Sequence, residues 1–238
     1  MASEENKAVL LRFFDEAWHR KNPDIADELF ASDYVLHDPG NPWLSPGPRG
    51  IREMITTYNN AFPDAHFIVE QQVAEDDWVV TRWVVQSTHQ GNLLDLQATG
   101  RESGTSGILF SRLDDGRIRE EWTQWNQHAL LEKLGAARDD TLGLDHPPTG
   151  DGWLLTLEAL RLAFPDLVFS RSRLVREGDL VAYQGTWRGT HRGPLGAIEP
   201  TGRVVEVGEH RLFRVRDGLI VEHWQEQDTA GLLRQLGR

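Results

Sequence analysis

The chain repeats itself at a fixed spacing. Ala61-Phe62-Pro63-Asp64 returns as Ala163-Phe164-Pro165-Asp166, Thr88-His89 as Thr190-His191, Thr99-Gly100-Arg101 as Thr201-Gly202-Arg203, Asp115-Gly116 as Asp217-Gly218, and Trp122 as Trp224. Each pair lies 102 positions apart, so the copies align without a gap. About a third of the positions in 61–135 are identical to their counterparts in 163–237. Self-similarity over a unit this long marks a duplicated domain rather than a solenoid. Nothing in the second half answers to the residues before about position 50. The expected organisation is therefore a complete domain over 1–137, a linker over 138–150 and a truncated domain over 151–238 lacking the first two helices and first strand.

Composition narrows the partners. A 39% apolar content with nine Trp and nine Phe suffices for a core in each copy. The absence of Cys removes disulfides, thiolate metal sites and Cys nucleophiles together, which fits a cytoplasmic protein. The net charge of −12 argues against nucleic acid or an anionic membrane as partner. There is no long apolar run and no secretory signal pattern. No His, Asp or Glu group has zinc spacing, and no phosphate loop, dinucleotide fingerprint or nucleophile elbow occurs, so neither metal nor cofactor is expected.

Periodicity places the elements. Leu10, Phe13, Phe14, Ala17 and Trp18 form one apolar helical stripe. Asn22-Pro23 starts a short second helix, residues 34–37 a short strand, and 51–61 a third helix. Strands are expected at 67–73, 79–89, 108–113 and 118–125, with Asp115-Gly116 as a tight turn and a closing helix around Leu130–Leu134. The second copy begins at the third helix, 153–163, and repeats the strands and closing helix. Helices on one face of a bent antiparallel sheet predict an α+β cone with an apolar mouth suited to a small hydrophobic ligand. Duplication predicts a pseudo-dimer within the chain, with a further homodimer possible.

The runs Tyr34-Val35-Leu36-His37-Asp38-Pro39, Ala61-Phe62-Pro63-Asp64, Thr88-His89-Gln90-Gly91, Thr99-Gly100-Arg101 and Asp115-Gly116-Arg117-Ile118-Arg119-Glu120-Glu121-Trp122 together resemble the SnoaL-like polyketide cyclases of the nuclear transport factor 2-like superfamily. The resemblance implies a cone-like curved antiparallel sheet and a cavity without cofactor or metal. It also implies an acidic residue late in the sheet that serves as general acid/base for an aldol-type ring closure, the work of a lyase or isomerase. A non-catalytic small-molecule binder or scaffold is the alternative. An epoxide hydrolase, with Asp38 and Arg101 as nominal candidates, is a third.

Candidate acid/base groups follow from this. Asp228, four residues after Trp224, stands where the first copy has Asn126; it is either the acid or the N-cap of the following helix. His210 and His223, unique to the second copy, either cluster with Asp228 across the Asp217-Gly218 hairpin or form an exposed or interdomain polar face. His89 and His191 sit beside Trp on their strands and are either proton shuttles or structural. Asp38, with His37 before it, either borders the expected mouth or simply begins the turn at Pro39. Glu120 and Glu222 are expected to pair structurally with Arg101 and Arg203 or with other basic groups. The candidate ligand walls are Phe14, Trp18, Tyr34, Tyr58, Phe62, Trp83, Trp122 and Asn126 in the first copy, and Trp187 and Trp224 in the second.

Overall fold

The computed structural model describes residues 2–136 and 152–238, with backbone alone for residues 2 and 152–156. The expected linker lies outside the described residues, as do Trp153, Leu154 and Leu155 side chains of the apolar helix. The chain divides into two compact units, Met1–Ala137 and Arg138–Arg238.

In the first unit the predicted stripe of α1 (Ala2–Phe14) is buried, and the helix ends in a widened π turn at Asp15–His19. That turn brings Ala17 and Trp18 into the core beside α2 (Ile25–Leu29). β1 (Phe30–His37) follows, then α3 (Pro48–Ala61), which begins three residues earlier than expected because Pro48 occupies the first helical turn. A meander of β2 (His66–Glu75), β3 (Trp78–Thr88), β4 (Glu102–Asp114) and β5 (Arg117–Trp125) ends in α4 (Gln127–Leu134).

The second unit has α5 (Gly152–Ala163), β6 (Val168–Glu177), β7 (Leu180–Thr190), β8 (Val204–Arg216), β9 (Leu219–Gln227) and α6 (Thr229–Leu236). Its core gathers Leu160, Phe164, Trp187, Val207 and Leu232. No described helix is long and apolar enough to cross a membrane.

The expected cone of curved antiparallel strands is not what forms. Neither sheet curves round or closes; the orders are β1-β5-β4-β3-β2 and β6-β7-β8-β9, each with two end strands. The first sheet is also mixed, because β1 pairs parallel to β5. The fold is α+β and duplicated, with open sheets. Strand alternation reports which face is buried; it carries no information on closure, and a strand not joined to its neighbour by a hairpin is free to run either way.

Candidate active site

Alternation along β5 sends Glu121, Thr123 and Trp125 to the helix side of the sheet, where they line a cavity of about 120 Å³. Phe14, Trp18, Tyr58, Phe62 and Trp83 complete much of its wall. Asp38, just past β1, also lines it. Trp18 stacks on Phe67, another residue of the wall, with ring centroids 4.7 Å apart. The lining is largely apolar and contains no Lys, Arg or His.

Register explains how the carboxyl of Glu121 is held. Ser111 on β4 is its direct cross-strand partner, and Leu36 on β1 is its neighbour on the other side. Ser111 Oγ donates to Glu121 Oε1 at 2.5 Å. Tyr34, two residues before Leu36 and on the same face, donates its phenol proton to Glu121 Oε2 at 2.8 Å. Glu121 is 2% exposed. Burial pushes its carboxyl up to about 7, against the opposing pull of the Ser111 and Tyr34 hydrogen bonds. Burial likewise drives the Tyr34 phenol upward, reinforced by the neighbouring Glu121.

Asp38 is held differently. Its Oδ1 accepts from Gly40 N at 2.8 Å and Trp125 Nε1 at 3.1 Å, and its Oδ2 from Asn41 Nδ2 at 2.7 Å. Asn41 Oδ1 in turn accepts from the Tyr58 hydroxyl at 2.8 Å. Burial raises the Asp38 carboxyl, while these donors oppose the rise. All three donors are N–H groups, which cannot accept a proton back, so they favour the charged form over the neutral acid. Asp38 fastens the loop after β1 and the Trp125 wall. Glu121 has two hydroxyl partners, and a hydroxyl both donates and accepts. Glu121 can therefore gain or lose a proton without stranding either partner.

The remaining candidates fall elsewhere. Trp122 lies on the opposite face of the sheet, stacked on His37 at 4.8 Å and packed against Trp78. Glu120, also on that face, contacts His37 Nε2 at 2.9 Å rather than Arg101. Glu222 accepts from Arg214 Nε at 3.0 Å rather than from Arg203. Arg101 and Arg203 instead donate to the last carbonyls of α4 and α6, at Lys133 and Gln235. With Arg101 committed there and absent from the cavity wall, the Asp38–Arg101 arrangement for epoxide hydrolysis is not assembled.

His89 and His191 are fully buried under Phe62 and Phe164, and each Nδ1 accepts from a backbone N–H, of Thr99 at 3.2 Å and Thr201 at 3.1 Å. Burial lowers both imidazoles. They fasten loops, and neither lines the cavity.

In the second unit, β8 and β9 place His210 opposite Glu226 and His223 opposite Phe213. Three positions of offset put the two imidazoles on opposite faces, so no His210–His223–Asp228 cluster forms. His223 stacks on Phe213 at 4.9 Å, and burial, aided by the Arg211 charge, lowers it to about 4. Trp187 is buried in the core with Nε1 donating to Gln227 at 3.3 Å, and Trp224 is half-buried on β9 opposite Leu212.

Asp228 and Asn126 are both N-caps: Gly231 N donates to Asp228 Oδ1 at 2.7 Å and Ala129 N to Asn126 Oδ1 at 3.0 Å. Asp228→Ala is accordingly expected to cost about 1 kcal/mol of stability, Asp228→Asn only a few tenths, and neither to change turnover. Urea unfolding and an activity assay on the two variants check this; lost turnover in Asp228→Asn would return Asp228 to the chemistry.

Glu121 escaped the sequence reading. Two adjacent Glu and two nearby Trp leave the alternation of β5 ambiguous until its register with β1 and β4 is known. One signal was available: Glu121 is where the copies differ, its counterpart being His223, while Ser111 is answered by Phe213 and Tyr34 by nothing.

Comparison with known proteins agrees with the duplication. The family model described as SnoaL-like polyketide cyclase matches twice, over residues 8–134 and 139–236. The aklanonic acid methyl ester cyclase DnrD of Streptomyces peucetius is 30% identical over 150 residues, which are 60% of this chain and 94% of that protein. The nogalonic acid methyl ester cyclase of Streptomyces nogalater is 22% identical over 138 residues, 58% of this chain and 96% of its own. Among solved structures, a candidate polyketide cyclase of Acidithiobacillus ferrooxidans is 30% identical with a TM-score of 0.50, covering 56% of this chain and 96% of that one. AclR of Streptomyces galilaeus, a candidate hydroxylase, is 29% identical with a TM-score of 0.51, covering 58% and 89%. Each relative is thus matched over nearly its whole length by little more than half of this chain, and the protein belongs to the SnoaL-like polyketide cyclase family as a tandem of two copies.

Proposed function

We propose that the first unit is a cofactor-independent lyase or isomerase that closes a ring in a polyketide-like substrate, with Glu121 as the acid/base group. The observation that carries this reading is a buried carboxyl, poised near neutrality, on the wall of an otherwise apolar aromatic cavity. The names of the cyclase relatives and the shared family point to the same class of chemistry.

The ionised Glu121 takes a proton from a carbon flanked by carbonyls. The resulting enolate carbon attacks a second carbonyl in the same molecule, forming the C–C bond and leaving an alkoxide. Glu121, now protonated, returns the proton to that oxygen. No electron enters or leaves, and the product is an isomer of the substrate. A group whose pKa lies near the working pH suits both halves of this cycle. Trp18, Phe62, Trp83 and Trp125 offer flat apolar surface to a fused-ring skeleton.

The test is incubation with aklanonic acid methyl ester in the presence of a metal chelator and without nicotinamide or flavin. A ring-closed product of unchanged mass is the expected result. Binding without turnover, across a panel of polyketide β-keto esters, would instead establish the non-catalytic reading.

A further inference from the structure

We propose that Tyr34 and Ser111 are positioning residues for Glu121: each hydroxyl holds one carboxylate oxygen, and together they keep the carboxyl aimed into the cavity while it cycles between its two protonation states. The inference rests on the assignment of Glu121 as the acid/base group. Three strands supply the parts: β1 the phenol, β4 the serine and β5 the carboxyl. Tyr34 and Ser111 are 3% and 0% exposed, so water does not compete for either hydrogen bond. Distances of 2.8 Å to Oε2 and 2.5 Å to Oε1 mark two charge-assisted bonds, one on each oxygen. A carboxylate pinned at both oxygens cannot rotate, so the same lone pairs face the substrate in every turnover.

The hydroxyls are suited to the cycle as well as to the geometry. When Glu121 is ionised both donate; when it carries a proton, one turns its lone pair toward the acid O–H. No other donor of hydrogen bonds to Glu121 is present among the described residues. Tyr34 from β1 and Ser111 from β4 hold its oxygens, Asp38 and Tyr58 are the other titratable groups on the same cavity wall, and no Lys, Arg or His lines that wall. The two hydroxyl bonds are thus the main force opposing desolvation of the charge. The second unit lacks this arrangement: His223 and Phe213 stand in the places of Glu121 and Ser111, and no strand answering to β1 occurs among the described residues.

The experiment is a carbon-13 titration of the full-length protein labelled at Glu side-chain carboxyl carbons, with Glu121→Gln identifying the signal. It is run on the wild type, Tyr34→Phe and Ser111→Ala, alongside the pH profile of turnover. Each variant is expected to raise the Glu121 midpoint by about one pH unit, since a donor to the charged form is lost. Turnover should follow, its acidic limb moving upward by the same interval. A fluorinated tyrosine at position 34, a stronger donor of unchanged shape, should move both downward, which controls for general loosening of the fold. An unmoved midpoint in all three proteins overturns the positioning role. A moved midpoint with an unmoved activity profile supports the positioning role and overturns the assignment of Glu121 as the acid/base group.

Discussion

Replacing Glu121 by Gln is expected to lower turnover by roughly 10²–10⁴-fold, the usual contribution of a positioned acid/base group, while ligand affinity stays nearly unchanged. Gln keeps the shape and can still meet both hydroxyls, so the loss isolates proton transfer from packing. The same variant is expected to change the pH dependence of stability. In the folded chain the Glu121 carboxyl is raised from an ordinary 4.5 to about 7, so the folded state binds this proton more tightly than the unfolded state. The sign follows: this group favours folding in acid, and its contribution is lost as pH rises from about 4.5 to about 7. Above that, holding the buried charge costs roughly 3 kcal/mol. Glu121→Gln removes this slope, so the variant should gain on the wild type at pH 8 relative to pH 5. Denaturant midpoints at the two pH values check it. An identical pH slope in the wild type and variant would show that Glu121 is not the raised carboxyl.

An enzyme that stabilises itself by losing its acid is a familiar trade, since a buried charge is retained against stability where chemistry uses it. It also bears on what the repeat could reveal. Several of the polar residues kept in both copies are frame. Asp64 and Asp166 each accept from a backbone N–H at the end of the second strand after them, at Thr88 on β3 and Thr190 on β7. His89 and His191 both fasten a loop through Thr99 and Thr201. The order of helices and strands and the Asp-Gly turns were legible because periodicity and turn chemistry are local.

The site was less legible because it depends on pairing between distant segments. Glu121 meets Tyr34 across 87 positions of sequence, through a parallel register that no local pattern encodes. Nor does a strand pattern say whether a sheet closes, which is why the cone was expected and open sheets are found. Asp228 shows a further limit. A carboxylate ending a strand and preceding a short helix has one sequence appearance whether it caps or catalyses, and only its contact with Gly231 N decides.

The glycines that follow these two histidines give the second large expected effect. A Cβ on Gly91 would stand 2.1 Å from the carbonyl oxygen of Asn60, and one on Gly193 would stand 2.1 Å from that of Leu162. Both obstacles are helix backbone, which cannot swing aside as a side chain can. In each copy two consecutive N–H groups of the loop donate to the alanine that ends the helix, Gln90 and Gly91 to Ala61 and Arg192 and Gly193 to Ala163. Gly→Ala must lift the loop and weaken both bonds, a cost on the order of 3 kcal/mol. The two substitutions are chemically the same, yet their consequences should differ. Gly91 braces the end of α3, which carries Tyr58 and leads into Phe62 on the cavity wall. Gly91→Ala should therefore lower the melting of the first unit and weaken ligand binding together. Gly193→Ala should lower the melting of the second unit and leave affinity and turnover unchanged. Calorimetry and ligand titration on both variants decide it. Loss of turnover in Gly193→Ala at a temperature where the first unit remains folded would mean that the second copy takes part in the chemistry, and the assignment of the site to the first cavity alone would fall.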